Sequence, residues 1–251
     1  MPKVLTSVAG AVREIVLARP DKRNALDAEM LDELQSAFSG EPTTAERVAV
    51  LRARGPAFCA GLDLRERGGG GVASGSIETM LRAVELWPLP VVAVVQGDAI
   101  AGGFELALHC DFVVADEDAR LGMSLARIGL APSWFLAKKI LETAGPVVAR
   151  EILLLGDLVP ALRLAELGLI HRAVAAGGLQ GLADTVIQRL AANAPLSLRA
   201  MKATLVRAME FRDSIPHGDI DSLVATASAS ADVREGVAAM LGRRSPKFEG
   251  R

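Results

Sequence analysis

Apolar and polar positions alternate in two rhythms along this chain. Lys3–Ser7 and Val12–Ala18 gather β-forming residues on either side of Ala9-Gly10, a pattern that predicts a hairpin. A polar loop, RPDKRNALD, follows at 19–27. Its last residue, Asp27, is placed to cap a helix over about 28–38 with Met30, Leu31, Leu34 and Phe38 on its apolar side. Val48–Arg52 reads as a short buried strand, and AFCAGLDL at 57–64 as a tight glycine-bearing turn. ERGGGGVASGS at 66–76 predicts a mobile loop. Ile77–Trp87 has helical spacing, and PVVAVVQ at 90–96 is a fully apolar strand.

The second half repeats this strand–turn–helix order. Phe112–Ala115 and Leu121–Met123 predict strands. Trp134–Thr143 and Val147–Leu155 predict helices broken at Gly145-Pro146. Ala161–Leu167 predicts another helix and Ile170–Val174 another strand. From about Ala183 only helical periodicity remains, interrupted at Ala194-Pro195 and Ile215-Pro216. The expected fold class is α/β, with a core over 1–190 and an all-helical C-terminal part over 191–251.

Composition narrows the classes of function. The 251 residues fit one large domain, or one domain with an appendage, and 51% hydrophobic content supports a sizeable core. No apolar run reaches the roughly 18 residues that span a bilayer, and MPKVLTSVAG has no long apolar segment of a secretion signal. Two cysteines, Cys59 and Cys110, make no disulfide framework and point to a reducing cytoplasm. A net charge of -2 gives no basic excess for nucleic acid. Local basic clusters remain at Arg19/Lys22/Arg23 and Arg243/Arg244/Lys247.

The candidate chemistry lies at 97–112, GDAIAGGFELALHCDF. Glu105 sits among Phe104, Leu106, Ala107 and Leu108, where a carboxylate is costly unless paired or used. Two apolar strands, Val48–Arg52 and Pro90–Gln96, each run into a turn of small residues, CAGLD and AIAGG. Such turns allow close approach of a ligand to the backbone. Unpaired N–H groups there can form an oxyanion hole, and a carboxylate one helical turn on can move a proton beside the held carbonyl. The same glycines equally serve turns and close packing. His109 lies four residues after Glu105 on the same helix face, either orienting the carboxylate or standing as a buried structural histidine. His171, His217 and Cys59 read as structural, and no metal-ligand spacing or phosphate-binding loop is found in the sequence.

Four stretches taken in order, RPDKRNALD, AFCAGLDL, VQGDAIAGGFELALHCDF and the terminal RRSPKF, resemble the crotonase family of acyl-CoA enzymes, typified by enoyl-CoA hydratase. The resemblance implies a spiral of β-β-α units with a helical C-terminal region, assembled as trimers or pairs of trimers. It implies oxyanion N–H donors at Leu62 and Gly102, with Glu105 as a proton-handling carboxylate. It implies coenzyme A contacts at Arg23, Ala25, Leu26, Ala60, Asp63 and Leu64, with Asn24 in the same NAL segment and Lys247 and Phe248 at the nucleotide end. Asp63 is also read as the structural cap of its turn. No permanent cofactor is implied; coenzyme A enters as part of the substrate.

One position departs from the family pattern. Hydratases carry a second glutamate in a segment that here reads LGMSLARIGLAP; with Gly122, Gly129 and Pro132 fixing the register, that place falls on Leu125. The small-residue turn beyond it is replaced by Pro132-Ser133-Trp134-Phe135-Leu136, which adds bulk. One acid/base group contributes about 10²–10⁴-fold in rate, so hydration by a concerted pair is expected to be poor. Moving a double bond between the 3,4 and 2,3 positions needs only one shuttling carboxylate. Asp98 and Asp63 are the nearest acids in sequence that could replace the missing one. The expectation is an enoyl-CoA hydratase/isomerase-type enzyme favouring isomerisation. A non-catalytic acyl-CoA binder, or a family reaction such as decarboxylation or thioester hydrolysis, stand as alternatives.

Overall fold

The computed structural model describes residues 2–64, 74–175 and 177–251, with the side chains of 74 and 75 set aside. Most of the glycine-rich stretch expected to be a mobile loop therefore lies outside the described residues.

The predicted hairpin is formed by β1 (Val4–Ala9) and β2 (Val12–Leu17), antiparallel from Val4↔Leu17 to Ala9↔Val12. Gly10 takes φ +59 at its turn, a conformation open to a residue without Cβ. Asp27 caps α1 (Ala28–Ala37) by accepting a hydrogen bond from Met30 N–H at 3.0 Å, and Met30, Leu31 and Leu34 face inward.

β3 (Val48–Ala53), β4 (Val91–Val95), β6 (Phe112–Asp116) and β9 (Arg172–Val174) extend the hairpin into a six-stranded sheet in the order β1-β2-β3-β4-β6-β9. All its pairings after the hairpin are parallel. The unbroken run VVAVV of β4 is buried on both faces, as a central parallel strand requires. Val91, Ala93 and Val95 join the main core with α1 and α2 (Ser74–Leu86). Val92 and Val94 face the other way, against Ala183 and Ile187 of the C-terminal helical region.

A second sheet of three short strands carries the part of the fold that matters most. β5 (Ala99–Ile100) pairs in parallel with β7 (Arg120–Gly122), and β7 pairs antiparallel with β8 (Val159–Pro160). α3 (Gly102–Leu108) leaves directly from β5. β5 and β8 have two residues each, too few for a periodic signal in the sequence.

α4 (Trp134–Arg150) is broken where the sequence predicts, into two helical segments: Gly145 at φ 68, ψ 171 is non-helical, and Pro146 opens the second segment. A π turn, Glu151–Leu155, follows. α5 (Ala161–Glu166), α6 (Leu179–Ala192), α7 (Pro195–Met209), α8 (Gly218–Ala229) and α9 (Ala231–Leu241) complete the chain. Among the described residues, no helix is long and apolar enough to cross a membrane.

Candidate active site

The site is built where three segments distant in sequence meet: 19–27, 57–64 and 97–109. Arg19 ties the first to the second. Its Nη1 donates to Ala25 O at 2.8 Å and to Asp63 Oδ2 at 3.0 Å, while Nη2 lies 3.2 Å from Asp27 Oδ2. Asn24, fully buried at φ 53, accepts from Arg19 N–H and donates to the carbonyls of Arg54 and Ala57. The backbones then interlock: Ala60 N–H donates to Arg23 O, Leu26 N–H to Gly61 O, and Asp63 N–H to Leu26 O. Asp63 therefore offers no free carboxylate, in keeping with its reading as a structural residue of the turn.

The 57–64 turn packs as closely on β5 and α3. Phe58 and Cys59 N–H both donate to Asp98 O, and Ile100 N–H donates to Cys59 O. A Cβ added at Gly61, which has φ +83, would lie 2.7 Å from Ile100 O and 3.2 Å from Gly102 N. A Cβ at Gly103 would lie 2.2 Å from Cys59 O. Ala101, between β5 and α3, holds φ 49, ψ -111, a strained conformation for a residue with a Cβ. Its N–H donates to Gly122 O, so the flanking strand β7 holds the strain in place. Among the described residues, neither Leu62 N–H nor Gly102 N–H has a hydrogen-bond acceptor. Two free donors thus sit on backbone segments in contact with one another.

Glu105, one turn into α3, is 0% exposed, and neither carboxylate oxygen has a hydrogen-bond partner among the described residues. Burial pushes its pKa well above the ordinary carboxylate range; Lys139 works against that shift and Glu85 adds to it. His109 does not hold the carboxylate. Its Nδ1 lies 2.8 Å from Glu105 backbone O and 3.7 Å from Oε2, so the ring nitrogen serves the helix end. Burial drives the His109 pKa down to about 4, leaving a neutral imidazole stacked on Phe135 with centroids 5.2 Å apart.

The other predicted residues are distributed as follows. Arg23 and Ala60 line one cavity of about 420 Å³ together with Ile100 and the acids Asp98, Asp116 and Asp118. Asp98 is committed to Arg120, Oδ2 to Nη2 at 2.6 Å, and so does not replace a missing acid beside Glu105. Leu125, half-buried against the core in a 3-10 turn over Ser124–Ile128, brings no proton donor. Leu64 is half-buried at the edge of the described segment. Lys247 and the exposed Phe248 sit on the C-terminal tail, which Glu235 and Asp232 of α9 hold through the N–H groups of Lys247, Glu249 and Gly250. Cys59 is buried with Sγ against Asn24 O, and burial lifts its thiol to about 12, which makes it inert. His171 packs edge-on against Phe112, and His217 bonds Asp221.

Sequence reasoning missed three features: Arg19 as the tie between segments, the strained Ala101, and the Lys139–Glu85 ion pair at 2.5 Å between α4 and α2. The first had a signal, since Arg19 opens a loop whose Asp21 and Asp27 offer an arginine acceptors. The other two have none in one dimension.

A mostly parallel sheet flanked by helices, a short side sheet feeding a glycine-led helix and a helical C-terminal region define the crotonase-type α/β fold. The crystal structure of an enoyl-CoA hydratase from Mycobacterium avium subsp. paratuberculosis superposes with a TM-score of 0.87 at 26% identity, covering 98% of each chain. The chain belongs to the enoyl-CoA hydratase/isomerase family, whose model matches residues 7–251. It is 35% identical to a putative enoyl-CoA hydratase of Thermus thermophilus, over 95% of this chain and 98% of that one. It is 31% identical to an enoyl-CoA isomerase/hydratase of Mycosarcoma maydis, over 96% of this chain and 93% of that one.

Proposed function

We propose that this protein acts on enoyl-CoA thioesters and shifts their double bond from the 3,4 to the 2,3 position, with hydration at most a weak activity. The observation that carries this reading is a fully buried carboxylate, Glu105, one helical turn after Gly102 N–H; among the described residues neither the carboxylate oxygens nor the N–H groups of Gly102 and Leu62 have a hydrogen-bond partner. In this account Leu62 and Gly102 N–H donate to the thioester oxygen. Glu105 takes a proton from C2; the C–H electrons flow into the C2–C1 bond, and the charge comes to rest on the oxygen as a dienolate. Glu105 then returns the proton to C4, the electron pair re-forms the double bond between C2 and C3, and the carboxylate is regenerated.

Burial suits Glu105 to both halves of this cycle, because a raised pKa makes it a stronger base when charged and a stable acid between steps. The neutral His109 competes for neither proton. Arg23, Ala25, Leu26, Ala60, Leu64 and the tail residues Lys247 and Phe248 are proposed to receive coenzyme A, with Asp63 contributing through its place in the turn. Trp134 and Phe135, where the family pattern has small residues, are proposed to shorten the acyl pocket. The 191–251 region is proposed to assemble copies into trimers or pairs of trimers; the exposed Leu196, Met201 and Leu205 on α7 and Leu223 on α8 support this.

The test offers 3-enoyl-CoA and 2-enoyl-CoA to the protein and to Glu105→Gln. The expected result is isomerase turnover that falls about 10²–10⁴-fold in the variant, with isomerisation exceeding hydration. Tight acyl-CoA binding without turnover of either substrate would favour a binding protein, and hydration as the dominant reaction would refute the weight placed on Leu125.

A further inference from the structure

Just past the end of α3, the His109 imidazole stands beside Glu105 without serving its carboxylate. Nδ1 lies 2.8 Å from Glu105 backbone O and 3.7 Å from Oε2. A carbonyl oxygen only accepts, so Nδ1 carries the ring hydrogen. That carbonyl already accepts the His109 backbone N–H at 2.9 Å. The carboxylate has no hydrogen-bond partner among the described residues and would take the same hydrogen in a charge-assisted bond, roughly twice as strong as a neutral one. The ring keeps to the carbonyl all the same, and Phe135 is the side chain that bears on it. The two rings stack with centroids 5.2 Å apart and planes 18° from parallel. Phe135 is held in turn: it is half-buried against the main core, and Lys138 Nζ, itself committed to Asp213, lies 5.4 Å from its centroid. Phe135 stands in the turn Pro132-Ser133-Trp134-Phe135-Leu136, where the family pattern has small residues. A small residue there would offer His109 no ring to stack on.

We infer that Phe135 is a positioning residue for Glu105: its stack fixes the plane of His109, keeps Nδ1–H on the backbone carbonyl and leaves the carboxylate open to the substrate. This rests on reading Glu105 as the base. To serve Oε2, Nδ1 has to close from 3.7 Å to a bonding distance of about 2.7–2.9 Å, a ring movement that the stacked face of Phe135 opposes. A carboxylate that accepted this bond would be favoured in its charged form and would be the weaker base. The charges packed around α3 are the same for either placement of the ring. β5 brings Ala99 and Ile100 and no titratable group, α2 brings Glu85, and α4 brings Lys138, Lys139 and Glu142. Lys139 is paired with Glu85 at 2.5 Å, and Glu142 faces Arg212 at 3.8 Å. All of them are retained when Phe135 or His109 is replaced.

The experiment follows the Glu105 carboxyl in unliganded protein labelled with 13C-glutamate, its resonance assigned with Glu105→Gln. Phe135→Leu keeps most of the volume and removes the stack, and the Glu105 midpoint is expected to fall by about one pH unit. Phe135→Tyr, which restores a stacking ring, and His109→Phe, which lacks the N–H, are expected to keep the wild-type midpoint. In the double variant Phe135→Leu/His109→Phe the midpoint is expected to return to wild type, because the donor is gone. The acid limb of kcat/KM for 3-enoyl-CoA shifts down with the midpoint in Phe135→Leu. A fall that persists in the double variant would assign the effect to water entering the site, and an unmoved midpoint in Phe135→Leu would show His109 indifferent to the stack. Either result overturns the inference. Midpoints in the expected order, with turnover that survives Glu105→Gln, would sustain the hold of Phe135 on His109 and refute the proposed base. If Phe135→Leu fails to fold, Phe135→Met supplies the same contrast.

Discussion

Asp27 and Glu105 are both buried carboxylates near the start of a helix, and they are treated in opposite ways. Asp27 accepts from Met30 N–H and Lys3 Nζ and lies 3.2 Å from Arg19 Nη2. Burial pushes its pKa up, but the Lys3 hydrogen bond, the Met30 N–H and Arg19 outweigh it and the net shift is downward. Glu105 accepts from nothing among the described residues, and burial dominates. A buried charge with every lone pair satisfied holds a scaffold together. One left unsatisfied costs stability and persists where it is used. The Arg19–Asp27–Asp63 junction is the scaffold, and in the proposed function the corner it frames receives the substrate.

The largest expected effect falls on the scaffold side. Asp27→Ala leaves Arg19 and Lys3 short of a partner and removes the cap of α1, and should cost about 3 kcal/mol in urea unfolding near pH 7. Because the folded-state pKa of Asp27 is depressed, its contribution is present above the unfolded value near 3.8 and is lost as pH falls through the folded value. The gap between variant and wild type should therefore narrow under acid conditions.

Next in size is the contact that places the two regions side by side. Gly103→Ala drives a methyl group to 2.2 Å from Cys59 O, backbone that cannot yield cheaply. It should destabilise by about 1–3 kcal/mol and lower kcat more than it raises KM, since it spreads the donors apart. Activity at the wild-type level in a destabilised Gly103→Ala would separate the close packing from the chemistry.

The smallest effect has the opposite sign. The folded-state pKa of Glu105 is raised, so the folded protein holds a proton that the unfolded chain releases above its ordinary value of 4.5. Wild-type stability then declines as pH rises from there to the folded pKa. Glu105→Gln lacks that slope and should be the more stable protein at pH 8, by about 1 kcal/mol or roughly 2–4 °C. The advantage should vanish near pH 4–5 in differential scanning calorimetry. Parallel pH slopes for the Asp27 and Glu105 variants would break the contrast between the two carboxylates.

Much of this was readable from residue order. The cap at Asp27, the hairpin turn at Gly10, the apolar strand at 91–95 and the glycines beside Glu105 each follow from a local rule. Of the two readings of His109, orienting the Glu105 carboxylate or standing as a buried structural histidine, the structure takes the second, because the ring nitrogen reaches the backbone carbonyl of Glu105 at 2.8 Å. Lys139 and Glu85 are 54 residues apart, and no periodicity joins them. Ala101 carries a backbone angle that composition would assign to glycine, and only the grip of β7 explains it. That Glu105 has no hydrogen-bond partner among the described residues is a statement about many neighbours at once, which a sequence cannot make.

The central claim is that Glu105, with Leu125 where the family pattern has a second glutamate, moves a proton at the carbon next to a held thioester. A saturated acyl-CoA in deuterium oxide tests this alone, because exchange at C2 needs one base and the oxyanion donors and no double bond. Proton NMR should show loss of the C2 signal with the wild-type protein and none with Glu105→Gln. Exchange that survives in Glu105→Gln, or is absent from the wild type at saturating ligand, would contradict the account.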